Sequence, residues 1–155
     1  MQIRQTHLKT ALSGIVLVLL LTTSALTPSV AAQEKKSLYD RVGRYDALAA
    51  VVDDFIGRLV NDKRFEKFFV GFSVDSKKRI RQHLLDQLCA ATGGPCVYLG
   101  RDMKTTHGGL GITEADWDAA VKHLTASIDK AKVHAKEKAE LLALVASLKK
   151  DIVEK

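Results

Sequence analysis

The sequence predicts an all-α chain forming one domain, and three observations carry that expectation. Its 155 residues are enough for one compact domain and too few for two of ordinary size. Aromatic residues make up only 6% of the chain, and runs of Val, Ile and Thr are scarce beyond the first thirty residues, which argues against a β-sandwich. After those residues, apolar positions recur at three- and four-residue steps, the period of a helix that buries one face. The balance of 46% hydrophobic and 27% charged residues, with 10 Gly and 2 Pro, also excludes collagen-like, low-complexity and broadly disordered classes.

Residues 1–32 contain Arg4 and Lys9 and no acid. The basic start gives way to a dense apolar run from Ala11 to Leu21, which Thr22 to Ala32 then dilutes with small residues and Pro28. This is the layout of a secretory signal peptide, with Val30-Ala31-Ala32 preceding a cut at Gln33. The alternative is an uncleaved membrane anchor, since no charge falls between Thr10 and Ala32, although the intensely apolar part is short for a span. No Cys lies near the cut, so a bacterial lipid anchor is not indicated. The working domain is therefore residues 33–155, expected to be exported to the periplasm, with a membrane as partner only if the segment stays attached.

Cleavage would take 24 Lys and Arg to 22 against 18 Asp and Glu, a net charge of +4. These cations are interleaved with acids rather than gathered with aromatics, and export removes most genomic partners, so nucleic acid is not expected as a ligand.

Asp46 to Asn61 reads as a helix, with Leu48, Val51, Val52, Phe55, Ile56 and Leu59 on one face. Phe65, Phe68 and Phe69 then form a short apolar cluster of one or two helical turns. Asp75 or Ser76 is expected to cap a second long helix carrying Ile80, Leu84, Leu85, Leu88 and Cys89. Thr92-Gly93-Gly94-Pro95 stops it. Cys96 to Gly111 is the least regular stretch. Thr113-x-x-Asp116 resembles a capping box before a helix whose stripe is Trp117, Val121, Leu124, Ile128 and Ala131. A final helix carries Leu141, Val145, Leu148 and Ile152, with Lys and Glu on its other faces. About five helices result, interrupted in the middle by a glycine-rich segment.

Several chemistries fail on context. The glycines at 93–94 and 108–111 follow no strand and precede no Gly-Lys-Ser/Thr, so they are not nucleotide loops. No Gly-x-Ser-x-Gly elbow is present. Six residues separate Cys89 from Cys96, unlike zinc-knuckle or thiol-redox spacing; an oxidising compartment permits a disulfide, and buried or free thiols are the alternative. Of the histidines, His134 sits among charged residues and His123 flanks an apolar stripe. His107 follows Met103 by four residues, which puts both on one face if that segment is helical, and Gly108-Gly109 frees the backbone after it; by spacing alone, a structural histidine is the alternative to a ligand.

The run Gly93-Gly94-Pro95-Cys96-Val97-Tyr98-Leu99-Gly100-Arg101-Asp102-Met103-Lys104-Thr105-Thr106-His107-Gly108-Gly109-Leu110-Gly111-Ile112, continuing to Trp117, resembles the truncated haemoglobins of group I. Ser37-Leu38-Tyr39-Asp40-Arg41-Val42-Gly43, Val52-Asp53-Asp54-Phe55 and the Phe68-Phe69 pair extend the resemblance over nearly all of residues 37–150. It implies a shortened globin, a two-over-two helical sandwich enclosing haem b (iron protoporphyrin IX). By this resemblance His107 is the proximal iron ligand, with its other ring nitrogen donating to a backbone carbonyl. Phe69, Met103, Ile112, Trp117 and Val121 line the haem, and Lys104 is either a neighbour of a propionate or a solvent-facing lysine.

The distal side departs from the family pattern. The position where many members carry an oxygen-binding tyrosine is Ile56, beside Phe55, and common distal glutamines fall on Ile80 and Leu84. A donor favours oxygen over carbon monoxide, so this apolar pocket is expected to hold oxygen loosely. His83 stands where some members carry a second axial ligand; the alternative is an exposed ring beside Arg81 and Gln82. Gln87 is a further candidate donor.

The resemblance thus implies a haem protein binding oxygen, nitric oxide or carbon monoxide, with its reductant unspecified. Nitric oxide dioxygenation is disfavoured by Ile56, and an exported electron-transfer or sensing role is favoured if His83 ligates the iron. A basic helical interaction domain without haem is the remaining alternative.

Overall fold

The computed structural model describes residues 35–155; the segment 1–32 expected to direct export lies outside them. Every regular element among the described residues is helical, in the order α1 (Leu38–Val42), α2 (Arg44–Asn61), α3 (Glu66–Phe69), α4 (Val74–Ala91), α5 (Met103–His107), α6 (Glu114–Lys130), α7 (Ala135–Ala146) and α8 (Lys149–Ile152). None of these helices is long and apolar enough to cross a membrane.

The apolar steps of the sequence become the core. Leu48, Val51 and Val52 of α2 meet Leu85, Leu88 and Cys89 of α4, Leu124 and Ile128 of α6, Leu141 of α7 and Val42 of α1. Helix α2 packs against both α4 and α6, and α6 packs against α7. The pairs α2/α4 and α6/α7 are therefore laid one over the other, the two-over-two arrangement. Each fully buried aliphatic side chain in such a core contributes about 1.5–3 kcal/mol.

Local chemistry sets the helix ends. Ser37 caps α1 by accepting from the Asp40 N–H at 3.1 Å, and Gly43 ends it at φ 101°, where an added Cβ would stand 2.9 Å from that of Ala47. Thr113 and Asp116 form the expected reciprocal capping box of α6, each side chain accepting from the other's backbone N–H at 3.2 Å. Thr92 and the glycine pair stop α4 as expected, and Tyr39 N–H donates to the Thr92 carbonyl at 2.8 Å, which hangs α1 on the end of α4. Gly94 is required by close approach: a Cβ there would lie 2.6 Å from Tyr39 Cδ2 and 2.8 Å from the Cys89 carbonyl oxygen.

Three expectations are corrected. Helix α4 is capped by Ser73, whose hydroxyl accepts from Ser76 N–H, so it starts before Asp75 and Ser76 rather than at them. Helix α2 begins at Arg44, two residues early, because Gly43 separates it from a short α1 that the apolar spacing does not reveal. The final helix is broken at Ser147-Leu148 into α7 and α8, so eight helical segments replace about five. Ala131, the C-cap of α6, packs against the core and continues the expected stripe.

The cysteine question resolves in favour of the bond. Cys89 and Cys96 form a disulfide with Cα atoms 5.7 Å apart, and no free cysteine remains among the described residues. Cys89 is fully buried on α4, so the start of the irregular segment is tied directly to the core.

Candidate functional site

Helix α5 is only five residues long, below the length at which a helix holds itself together, and it is fixed from its ends. Asp102 caps it, accepting from Thr105 N–H at 2.8 Å and from the Thr105 hydroxyl at 2.9 Å. Those two bonds, the backbone N–H first, hold the Asp102 carboxyl below the usual carboxylate range. At the other end Gly108 N–H closes the last turn onto the Lys104 carbonyl at 2.8 Å.

Within this turn His107 Nδ1 lies 2.9 Å from the Met103 carbonyl oxygen. A carbonyl only accepts, so Nδ1 carries the hydrogen and donates it. In the neutral ring Nε2 then keeps its lone pair, and the ring makes no other hydrogen bond among the described residues. The four-residue spacing read from the sequence is thus realised as a helical turn with a side chain-to-backbone bond. His107 and Met103 are half-buried, and Lys104 between them is exposed.

Phe55 and Ile56 on α2 and Ile80 and Leu84 on α4 are half-buried, and Phe55, Ile56 and Leu84 lean on the common core. None of the four offers a hydrogen-bond donor on its side chain. Phe69 on α3 is half-buried, its ring at 90° to Phe72 with centroids 6.1 Å apart. On α6 Trp117 is buried and Val121 half-buried, and Ile112 in the preceding segment is half-buried. The α2–α4 and α2–α6 packing brings the elements of the distal set and those bearing Trp117 and Val121 against one helix, while α5 packs against α8.

Val70 at 73%, Val74 at 69%, Val97 at 70% and Leu99 at 84% exposure, with Phe72 and Leu110, leave apolar surface before α4 and on both sides of α5.

His83 is exposed on α4. Its neighbours are committed elsewhere: Arg81 makes a two-pronged contact with Asp53 at 2.6 and 2.9 Å, and Gln82 donates to Tyr45 Oη and Asp86. The His83 ring meets Tyr98 edge to face at 6.1 Å. Burial, and secondarily the charge of Asp102, pushes the Tyr98 hydroxyl up, and that hydroxyl donates to the Arg101 carbonyl at 2.6 Å. Gln87 is half-buried on α4. His134 is exposed as expected, and the flanking His123 lies 2.8 Å from Asp62 through Nε2.

Sequence reasoning missed the roles of Asp102 and Tyr98. Asp102 had a local signal, an acid one residue before a short run ending in a helical histidine. Tyr98 had none, because its partner lies fifteen positions back on another element.

The comparisons with known proteins agree with this arrangement. The model of the family described as Bacterial-like globin matches residues 37–154. A group 1 truncated haemoglobin of Mycolicibacterium paratuberculosis is 34% identical over 119 residues, covering 77% of this chain and 85% of that protein. One from a Nostoc species is also 34% identical over 119 residues, covering 77% and 98%. Among solved structures, a variant of the truncated haemoglobin of Tetrahymena pyriformis in its Fe(III) form superposes with a TM-score of 0.70 at 25% identity, over 77% of this chain and 100% of that one. The 2/2 haemoglobin of a Synechococcus, described with covalently attached haem, gives 0.69 at 25% identity over the same shares. Four core helices in two crossed layers, a one-turn helix bearing His107 and a family match over nearly all described residues lead to one conclusion: the chain belongs to the bacterial-like globin family and has the truncated, two-over-two globin fold.

Proposed function

We propose that the chain binds haem b through Nε2 of His107 and accepts a diatomic gas as a further ligand of the iron. The single observation carrying this reading is the bond from His107 Nδ1 to the Met103 carbonyl, which leaves the opposite nitrogen of a neutral imidazole as a donor. The donor set fits the group. No cluster of three or more His, Cys, Asp or Glu that could hold a bare metal ion exists among the described residues, and a lone imidazole suits a metal whose other ligands arrive with it.

When bound, the haem supplies an iron that takes gases and changes oxidation state. The chain supplies the rest. His107 holds the iron; Phe69, Met103, Ile112, Trp117 and Val121 offer apolar surface to the ring, and Lys104, exposed on α5, suits a propionate. Phe55, Ile56, Ile80 and Leu84 offer no donor, so oxygen is bound loosely and nitric oxide or carbon monoxide is disfavoured less. Nitric oxide dioxygenation fits this pocket poorly for the same reason. The reductant is left to a partner outside this chain.

The disulfide supports export, since such bonds persist in oxidising compartments, and the periplasm is the location we infer. Attachment to a membrane requires that residues 1–32 remain uncleaved.

Absorption spectra of the purified protein in ferric, ferrous and carbonmonoxy states test the proposal. The expected result is a stoichiometric Soret band whose axial features are lost in His107→Gly. Full loading with unaltered axial spectra in that variant would overturn it.

A further inference from the structure

The last residues of the chain reach back to the segment that follows His107. Gly109 and Gly111 both donate their backbone N–H groups to the carboxylate of Glu154, the first to Oε1 and the second to Oε2 at 3.0 Å. Both glycines have positive φ, 82° and 65°, a conformation that side chains resist. Between them, Leu110 N–H donates to the carbonyl of His107 itself at 3.2 Å. Two backbone bonds continue the contact: Glu154 N–H to the Ile112 carbonyl at 2.9 Å and Glu114 N–H to the Lys155 carbonyl at 3.0 Å. Lys149 of α8 pairs with Glu114 at the start of α6.

A five-residue helix has no stiffness of its own. Asp102 holds α5 at its start, and the carboxylate that holds Gly109 and Gly111 just after its end is Glu154, more than forty positions away in sequence. Backbone N–H groups aimed at an ionised carboxylate make charge-assisted bonds, the stronger kind. The orientation of the His107 ring relative to the core therefore depends on the tail.

We propose that Glu154 is a positioning residue for His107: by clamping Gly109 and Gly111 it holds the imidazole against the iron and sets the strength of the iron–histidine bond. This rests on His107 being the ligand. It adds that a residue outside the pocket, contributed by the tail, governs the proximal side.

The test uses Glu154→Ala and Glu154→Gln in the full chain. Resonance Raman of the ferrous ligand-free protein reads the iron–histidine stretch, transfer of haem to an excess of an acceptor globin reads haem loss, and amide exchange of the haem-free protein reads the loop. Glu154→Ala is expected to shift the stretch to lower frequency and to speed haem loss about tenfold, with Gly109 and Gly111 exchanging faster. Glu154→Gln, which keeps one acceptor oxygen, should move all three in the same direction by less. If the alanine variant does not fold, the glutamine variant carries the test alone. An unshifted stretch with the loop amides released overturns the proposal, because the clamp would then be lost while the iron–histidine bond kept its strength. Failure of the underlying reading looks different: the wild-type stretch would then be absent or would survive in His107→Gly.

Discussion

Tyr98 and His83 meet edge to face with ring centroids 6.1 Å apart, so the segment after α4 rests on the exposed side of α4 itself. That contact places the His83 imidazole in solvent beside Arg81 and Gln82.

On the proposed haem-binding reading, this placement favours an iron without His83 as a ligand. Ferric and ferrous spectra of the wild type and of His83→Ala are expected to share the same high-spin signature. Low-spin bands in the wild type that vanish in the variant would instead make His83 a second axial ligand and favour electron transfer or sensing over gas binding.

The distal pocket offers a gain-of-function experiment. Ile56→Tyr places a hydroxyl where the pocket has none, so oxygen dissociation should slow by about tenfold or more while carbon monoxide changes little. Ile56 leans on the core, and the larger ring costs about 1–3 kcal/mol in overpacking, which a melting curve reads separately. An unchanged ratio of oxygen to carbon monoxide affinity would mean that Ile56 does not face the ligand.

The disulfide closes a short loop, Cys89 and Cys96 being seven apart in sequence. By loop-closure entropy it contributes about 2.5 kcal/mol, and Cys89→Ala with Cys96→Ala should lose that amount in denaturant unfolding. Thiol titration of the unfolded wild type should give two thiols only after reduction.

Acid should unfold the protein by a defined route. Lys130, then Arg58 and the Ser127 hydroxyl, hold the Asp54 carboxyl far below the usual carboxylate range. Arg41 also lowers the carboxyls of Glu137 and Glu140, joining α1 to α7, and Thr113 lowers that of the buried Asp116. A carboxyl whose folded pKa is depressed adds stability above its unfolded value, about 4, and that stability is lost as pH falls further. Melting temperature should therefore change little from about pH 8 to 5 on account of these groups and drop below about 4. Asp54→Asn should lower it at neutral pH and flatten the acid drop. A wild-type curve that is flat to pH 2 would contradict the assignment.

Much of this protein was legible in its sequence because the governing interactions are local. The faces of α2, α4 and α6 follow from apolar spacing, since a helix repeats every few residues. The capping box of Thr113 and Asp116, the stop at Thr92-Gly93-Gly94-Pro95 and the turn joining Met103 to His107 lie within four or five positions. Their partners lie close in sequence, so spacing alone shows which bonds can form once the chain folds. Even here neighbours competed: Ser73 won the cap of α4 over Asp75 and Ser76 because its hydroxyl reaches the Ser76 N–H.

What only the tertiary structure decided depends on approach between distant segments. Whether Cys89 and Cys96 pair turns on the chain reversing at Gly94, where there is no room for a side chain. That Glu154 grips the loop behind His107 has no trace in spacing, because the two are brought together by α8 packing on α5. Local periodicity therefore reveals which residues form helices and which face they bury. The hold of Glu154 on the loop that follows His107 comes from contacts that exist only once the helices have met.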